Sequence, residues 1–136
     1  MERIVILIFA IFLFLGFCPV QAQETVDLSA LLQAQNVKYQ DCIKVFNTDN
    51  VHLLYLTIAS INANRFKIDE IQSRTGFVLF SAVGKQFLAS ISNVNTNQGM
   101  LKITPVDDNY YFQPGIVTNI LKYIELNLDT KLENIN

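Results

Sequence analysis

The side chain best suited to proton transfer in this 136-residue chain is His52, because the chain has one histidine. A hydrolase would use it as general base for a serine or cysteine nucleophile such as Cys42. No nucleophile-elbow sequence surrounds any serine, and His52 lies at the expected start of a helix. We interpret His52 as an exposed residue of a first helical turn, and a hydrolase using His52 is our weakest hypothesis.

The other reactive residue types show no catalytic, metal-binding or cofactor-binding spacing. A single histidine excludes the usual Cys/His zinc sets. The run Asp107-Asp108-Asn109 lacks the glycine and distal glutamate of a calcium loop. Asp69 and Glu70 are neighbours on an expected strand, so we expect their side chains on opposite faces. The sequence therefore predicts no catalytic residue, no metal site and no cofactor.

The most suggestive cluster is aromatic and consists of Tyr110, Tyr111 and Phe112, directly before Gln113 and Pro114. Such rings commonly fill a core where a strand meets a helix. They can also form an exposed patch that docks a partner. Tyr110, Tyr111 and Phe112 are our candidate interaction surface, with core filling as the competing interpretation.

A second candidate surface is the helix-free face of the predicted sheet. Strand alternation places a set of polar residues there: Lys67, Asp69, Ser81, Ser90, Ser92, Lys102 and Thr104. A face of this kind is usually solvated, but it could also pair with another subunit.

These residues must be positioned by two helices and the strands between them. A possible N-cap at Thr48 or Asp49 predicts the start of a helix, and the many apolar residues that follow predict that it is mostly buried. The face expected to be buried carries Val51, Leu54, Tyr55, Ile58 and Ile61 or Asn62, broadened by Leu53 and Leu56. Near Pro114 a second helix is expected, with an apolar stripe that ends at Leu128.

Between these helices apolar residues recur at every second position instead of every third or fourth, which predicts four strands. They are expected near residues 65–73, 77–83, 86–93 and 100–106, with Gly84-Lys85 as a hairpin loop and 95–99 as a polar connection. The order helix–β–β–β–β–helix predicts an α+β two-layer sandwich. Its sheet is a four-stranded antiparallel meander, with the helices before and after it packed on one face.

The first 22 residues are typical of a cleaved secretory signal, with an apolar run at Ile4–Phe17 and a cleavage site after Ala22. We expect an exported protein, periplasmic or extracellular. One alternative is retention of this segment as a membrane anchor of minimal length. Another is lipidation of Cys18, which Phe17 disfavours because a lipobox has a small residue before its cysteine. Contact with a membrane is expected only in these two cases.

The rest of the chain is long enough for about one domain. We predict a lead-in over 23–47 with a possible short helix near 27–35, an α+β domain over 48–128 and a frayed tail over 129–136. The pattern of 36–47 fits either helix or strand. Cys42 would be the only cysteine left after cleavage, which excludes an intramolecular disulfide and favours a buried, inert thiol.

The net charge of −2 provides no basic stripe, which argues against binding to nucleic acid or to an anionic membrane surface. The architecture resembles the small helix-grip modules of envelope lipoproteins and outer-membrane assembly factors, and architecture alone implies no activity. We expect a non-enzymatic module that binds an envelope protein or a second copy of itself. The alternative is a carrier of a small apolar ligand or lipid. Its cavity would be lined by Leu54, Ile58, Phe80, Ile120 and Ile124.

Overall fold

The structure is a computed structural model that describes residues 31–129. The expected signal at 1–22, residues 27–30 of the possible short helix near 27–35, and residues 130–136 lie outside the described residues. The chain divides into two compact units, Met1–Gln33 and Ala34–Asn136. In the first unit, Leu31 and Leu32 have helical backbone. The elements below belong to the second unit.

The second unit has two α-helices and two antiparallel sheets. The strands are β1 (Gln35–Asn36), β2 (Ile43–Phe46), β3 (Lys67–Gln72), β4 (Phe77–Ala82), β5 (Lys85–Asn95), β6 (Gln98–Pro105) and β7 (Tyr111–Phe112), and the helices are α1 (Asn50–Ala63) and α2 (Gly115–Leu126). A single 3-10 turn, Tyr39–Cys42, precedes β2. Five strands form one sheet in the order β2-β6-β5-β4-β3, while β1 pairs with β7. The predicted α+β class is confirmed.

The predicted four-stranded meander matches the sheet only roughly, because β2 adds a fifth strand at its edge. Ile43 lies opposite Lys102 and Phe46 opposite Gly99, so β2 pairs with β6. Helix α1 then connects β2 to β3, which is the opposite edge of the sheet. Local alternation could not reveal this pairing, since its partner strand follows three other strands in the sequence.

Two turn positions also differ from the prediction. The β4–β5 hairpin turns at Val83-Gly84, one residue earlier than expected, and both residues have positive φ values of 50° and 75°. Such a pair of angles suits the twist of a two-residue hairpin. The tract expected to be a polar connection is mostly strand, because Asn95 pairs with Gln98 and leaves Thr96-Asn97 as the turn.

Helix α1 begins where a cap was predicted, but its buried face differs from the prediction. The Asp49 side chain accepts a hydrogen bond from the His52 backbone N–H at 2.8 Å. Val51 and Tyr55, expected to be buried, are 59% and 49% exposed. Leu53, Leu56 and Ile61 are buried as expected, and they are joined by Thr57 and Ser60, which were not expected there.

Two small hydroxyl side chains explain how this face can be buried. Thr57 donates a hydrogen bond to the Leu53 carbonyl at 2.8 Å, and Ser60 donates one to the Ile120 carbonyl of α2 at 3.2 Å. A buried hydroxyl with a partner carries little desolvation penalty. Because apolar residues surround α1 on all sides, their spacing alone could not select the face that meets α2 and the sheet.

The core between the helices and the sheet contains four phenylalanine rings in succession, which we call the aromatic row. Phe66 stacks on Phe80 at 6.0 Å between ring centroids, and Phe80 stacks on Phe87 at 5.5 Å. Phe112 completes the row with its edge toward Phe87 at 5.0 Å. The row joins β4, β5 and β7 to the segment that follows α1, so it connects the meander to the small β1–β7 sheet.

Candidate binding groove

The structure separates the three aromatic residues predicted as an interaction surface. Phe112 is 2% exposed and belongs to the aromatic row. Tyr110 is half-buried and meets Tyr39 edge to face at 6.1 Å between ring centroids. Tyr111 is 56% exposed. The three rings therefore do not form one exposed patch, and Tyr111 is the member that presents its ring to solvent.

His52 contributes to the start of α1. Its Nδ1 atom and the Thr48 hydroxyl are hydrogen-bonded at 2.8 Å. Its Nε2 atom is buried and has no hydrogen-bond partner within the described part of the chain. The ring is thus half-buried rather than exposed as expected. Among residues 31–129, no serine or cysteine is hydrogen-bonded to the ring as a nucleophile would be.

The acidic residues considered above serve the surface of the sheet and its turns. A β-bulge between Ile68 and Glu70 places Asp69 and Glu70 on the same face, so the expectation of opposite faces is wrong. Asp69 accepts hydrogen bonds from Ser81 at 2.6 Å and Gln86 at 3.1 Å. These bonds, Ser81 foremost, hold the pKa of Asp69 below its usual value.

Asp107 is held in a turn. Lys85 donates a hydrogen bond to it at 2.8 Å, which is the main cause of the lowered pKa of Asp107. Its other oxygen accepts the Asn109 backbone N–H at 3.0 Å, as aspartate does in turns. Within residues 31–129, no group of three or more His, Cys, Asp or Glu side chains could hold a metal ion.

Cys42 lies in the core with no exposed surface, and its thiol donates a weak hydrogen bond to the Lys38 carbonyl at 3.6 Å. Burial, with a contribution from neighbouring Asp41, raises the pKa of the Cys42 thiol to about 11. A neutral, inaccessible thiol is a poor nucleophile at neutral pH. Cys42 is therefore a packing residue in this fold.

The raised pKa of Cys42 predicts a pH dependence of stability. The unfolded thiol has a pKa of 9.0, so between pH 9 and 11 the unfolded chain loses this proton while the folded chain keeps it. Stability is full below pH 9 and falls as the pH rises through this range, by on the order of 2 kcal/mol. We expect urea unfolding to show a steeper decline in wild type than in Cys42→Ala. Equal slopes in the two proteins would contradict the prediction.

An open groove of about 470 Å³ lies between α1 and the turn that connects β3 to β4. Its lining combines one side of α1, inward-facing residues of the sheet and the turn: Asn50, Val51, Leu54, Tyr55, Ile58, Ile71, Ser73, Arg74, Thr75, Gly76 and Ile91. The α1 residues of this set include four of those expected on the helix's buried face, namely Val51, Leu54, Tyr55 and Ile58. The apolar stripe seen in the sequence is thus a wall of the groove.

The turn that forms the other wall depends on Gly76. This residue has a φ of +75°, and its N–H donates to the Gln72 carbonyl at 2.8 Å. Its carbonyl accepts the Ile91 N–H, also at 2.8 Å, which ties the turn to β5. A Cβ at this position would lie 3.0 Å from the Ile91 carbonyl oxygen. Glycine therefore lets the turn lie against β5 and keeps Arg74 and Thr75 at the rim.

The groove is mainly apolar with one cationic residue at its rim. Leu54 and Ile58 are half-buried in its floor, whereas Val51, Tyr55 and Ile71 are exposed at its edge. Arg74 is the lining residue with a formal charge. Such a surface can bind an apolar group and favours a negative charge near the rim. Ser73 and Thr75 supply hydroxyls, but none of the groove residues could act as their general base.

The cavity expected for a carrier is not formed at the predicted place. Phe80, Ile120 and Ile124 are fully buried in the layer between helices and sheet. Leu54 and Ile58 line the open groove instead. The sequence signal for the groove was the excess of apolar residues around α1, which one buried face could not accommodate.

Comparison of the chain with protein-family models and with curated proteins finds no match to either. Within residues 31–129, no helix is long and apolar enough to cross a membrane.

Proposed function

We propose that this protein is a non-enzymatic binding module that takes an apolar segment of a partner protein into the groove beside α1. The proposal rests on one observation, the exposure of large apolar side chains around a concave surface. Val51, Tyr55 and Ile71 are 59%, 49% and 44% exposed at its rim. Clustered exposure of this kind at a groove is typical of interaction sites.

The openness of the groove favours a protein segment over a sequestered lipid. Sites for small ligands usually enclose most of the ligand, about 70–90% of its surface. Here the apolar rim faces solvent, so much of an apolar ligand would stay in contact with water. A helix or extended chain can lie in such a groove and direct its polar side outward. The expected signal at 1–22 supports a partner in the cell envelope.

A carrier of a small amphiphilic ligand is the second candidate. The volume of about 470 Å³ falls within the range of small-molecule sites, about 300–1,000 Å³. Leu54 and Ile58 would contact the apolar part, and Arg74 would lie near an anionic head group.

Site-specific photocrosslinking tests the proposal. A photoreactive phenylalanine analogue would replace Tyr55 in the groove or, as control, Tyr39, which lies outside it. The two side chains are 49% and 47% exposed, so their accessibility is matched. In cells that express the full chain, we expect irradiation to yield an adduct with a different protein from position 55 and no adduct of this kind from position 39. A small-molecule adduct at position 55 would favour the carrier.

A substitution in the groove completes the test. Ile71→Glu puts a charge on the apolar rim and should abolish the adduct at position 55. Val106→Glu introduces the same charge at a residue 53% exposed outside the groove and should leave the adduct unchanged. Equal adducts from positions 55 and 39, or an adduct that survives Ile71→Glu, would refute the proposed site.

A further inference from the structure

The face of the five-stranded sheet opposite α1 and α2 carries an unusual mixture of side chains. We call it the open face. The register places the polar residues Lys67, Asp69, Glu70, Gln72, Ser81, Ser90, Ser92, Lys102 and Thr104 on it, together with the apolar residues Ile43, Val45, Phe77, Leu79, Leu88 and Met100. Antiparallel sheets with one solvated face usually alternate cleanly between apolar and polar residues. This face departs from that pattern.

The apolar residues of the open face form two groups, one on β4 and β5 and the other on β6 and the edge strand β2. Leu79 of β4 lies directly opposite Leu88 of β5, and Phe77 is the next residue on the same side of β4. In the second group, Met100 lies between Ser92 and Val45. Both α1 and α2 pack on the other side, where Val78, Phe80 and Phe87 point. Among residues 34–129, the 3-10 turn reaches the open face through Tyr39, whose ring centroid lies 5.9 Å from the Lys102 Nζ atom.

The charges of the open face suit a copy of the same face. Lys67 and Lys102 are balanced by Asp69 and Glu70, so the face has no net charge. A face of one sign would repel its own copy, whereas this one carries both signs. Lys67 and Asp69 lie 3.8 Å apart within one copy, which leaves Glu70 and Lys102 to pair between copies. Glu70 lies on the edge strand β3, and Lys102 lies on β6 beyond the apolar centre. Such an arrangement is self-complementary, as a two-fold interface requires.

We propose that two copies of this protein associate through their open faces as a two-fold dimer. An axis parallel to the strands and between β4 and β5 places β4 of one copy over β5 of the other, and β3 over β6. Leu79 then faces the partner's Leu88. Glu70 then faces the partner's Thr104 and lies two residues, or about 7 Å, along the strand from the partner's Lys102. Both side chains are long enough to meet across this distance. Two sheets stacked this way bury their apolar centres against each other.

The area of the face indicates how strong this dimer is. In this arrangement four strands of each copy overlap, because β2 extends beyond the edge of the partner's sheet. At a spacing of ~4.8 Å, with about six residues of ~3.4 Å each, they cover roughly 400 Å² per copy. Two copies then bury about 800 Å², the size of a weak, transient interface. The expected dissociation constant is therefore micromolar rather than nanomolar. The groove lies beside α1 on the other side of the sheet, so the dimer and the proposed partner site are independent.

Analytical ultracentrifugation tests the dimer with protein purified from cells that express the full chain. Wild type should shift from monomer to dimer between roughly 1 and 200 μM. Leu88→Glu buries a charge at the centre of the interface and should weaken association at least about tenfold. Leu126→Glu makes the same change at a residue 75% exposed on α2 and should have no effect.

A charge exchange shows whether the two faces meet as proposed. Lys102→Glu should weaken association, and Glu70→Lys in the same chain should restore it by re-forming the pair with opposite signs. This test also covers the case in which Leu88→Glu fails to fold. Wild type that stays monomeric throughout this range refutes the dimer. Dimerisation unaffected by both Leu88→Glu and Lys102→Glu, or no rescue in the charge exchange, refutes the interface.

Discussion

Replacing Phe112 by alanine is expected to lower the free energy of unfolding by about 3–5 kcal/mol, the usual cost of removing a buried phenylalanine ring. Phe112 is 2% exposed, and its edge meets Phe87 at 5.0 Å between ring centroids. Its loss leaves a cavity at the end of the aromatic row, where the β1–β7 sheet joins the meander. Urea unfolding followed by circular dichroism measures the change.

The neighbouring tyrosine provides the matched control for this prediction. Tyr111 is 56% exposed on the same two-residue strand, so Tyr111→Ala should change the free energy of unfolding by less than about 1 kcal/mol. The pair thus tests whether one aromatic residue of the predicted cluster fills the core while the next meets solvent. Similar losses in the two variants would contradict this division.

Replacing Gly99 by alanine should destabilise the protein by about 1–3 kcal/mol through overpacking. A Cβ at Gly99 would lie 2.9 Å from the Asn50 Oδ1 atom and 2.9 Å from the Leu53 Cδ2 atom. Both neighbours belong to the first turn of α1, which lies directly against β6. The new methyl group therefore has to displace the ends of these two side chains, and Leu53 has little room to move because it is fully buried. Urea unfolding provides the measurement.

A double-mutant cycle with Leu53→Ala separates this steric effect from a loss of strand stability. Leu53→Ala removes the methyl group that Gly99→Ala would press against, although it has its own cost of about 2–5 kcal/mol. The double variant should therefore be more stable than the sum of the single losses predicts, by about 0.5–3 kcal/mol. Strict additivity would show that the helix does not press on Gly99.

Local patterns in the sequence were sufficient for much of the meander. The strands near Phe87 and Met100 alternate between a buried and an open side, as predicted. The cap at Asp49 and the helix after Pro114 were also visible, because capping and a single apolar stripe are short-range signals. The fifth strand could not be predicted, because the four residues Ile43–Phe46 fit either helix or strand. Its partner β6 is also distant in sequence, so no short-range signal indicates the pairing.

The candidate groove was hidden in the sequence for a different reason. Val51 and Tyr55 have the spacing of a buried helix face, and spacing cannot tell a wall of an open groove from a wall of the core. Two buried hydroxyl residues, Thr57 and Ser60, took the core position instead. Thr57 is satisfied within its own helix, whereas the hydrogen bond that permits burial of Ser60 depends on a tertiary contact with Ile120 of α2.

The β2–β6 pairing also bears on how this chain can fold as it is synthesised. Strand β2 is made early, yet its partner β6 follows β3, β4 and β5 in the sequence, and β1 must wait even longer for β7. Contacts so distant in sequence slow folding, because a long loop must close before they form. The strands β3, β4 and β5 can pair with their neighbours as they are made. The five-stranded sheet, by contrast, cannot close until Gln98–Pro105 has been added, and β2 has no partner strand until then.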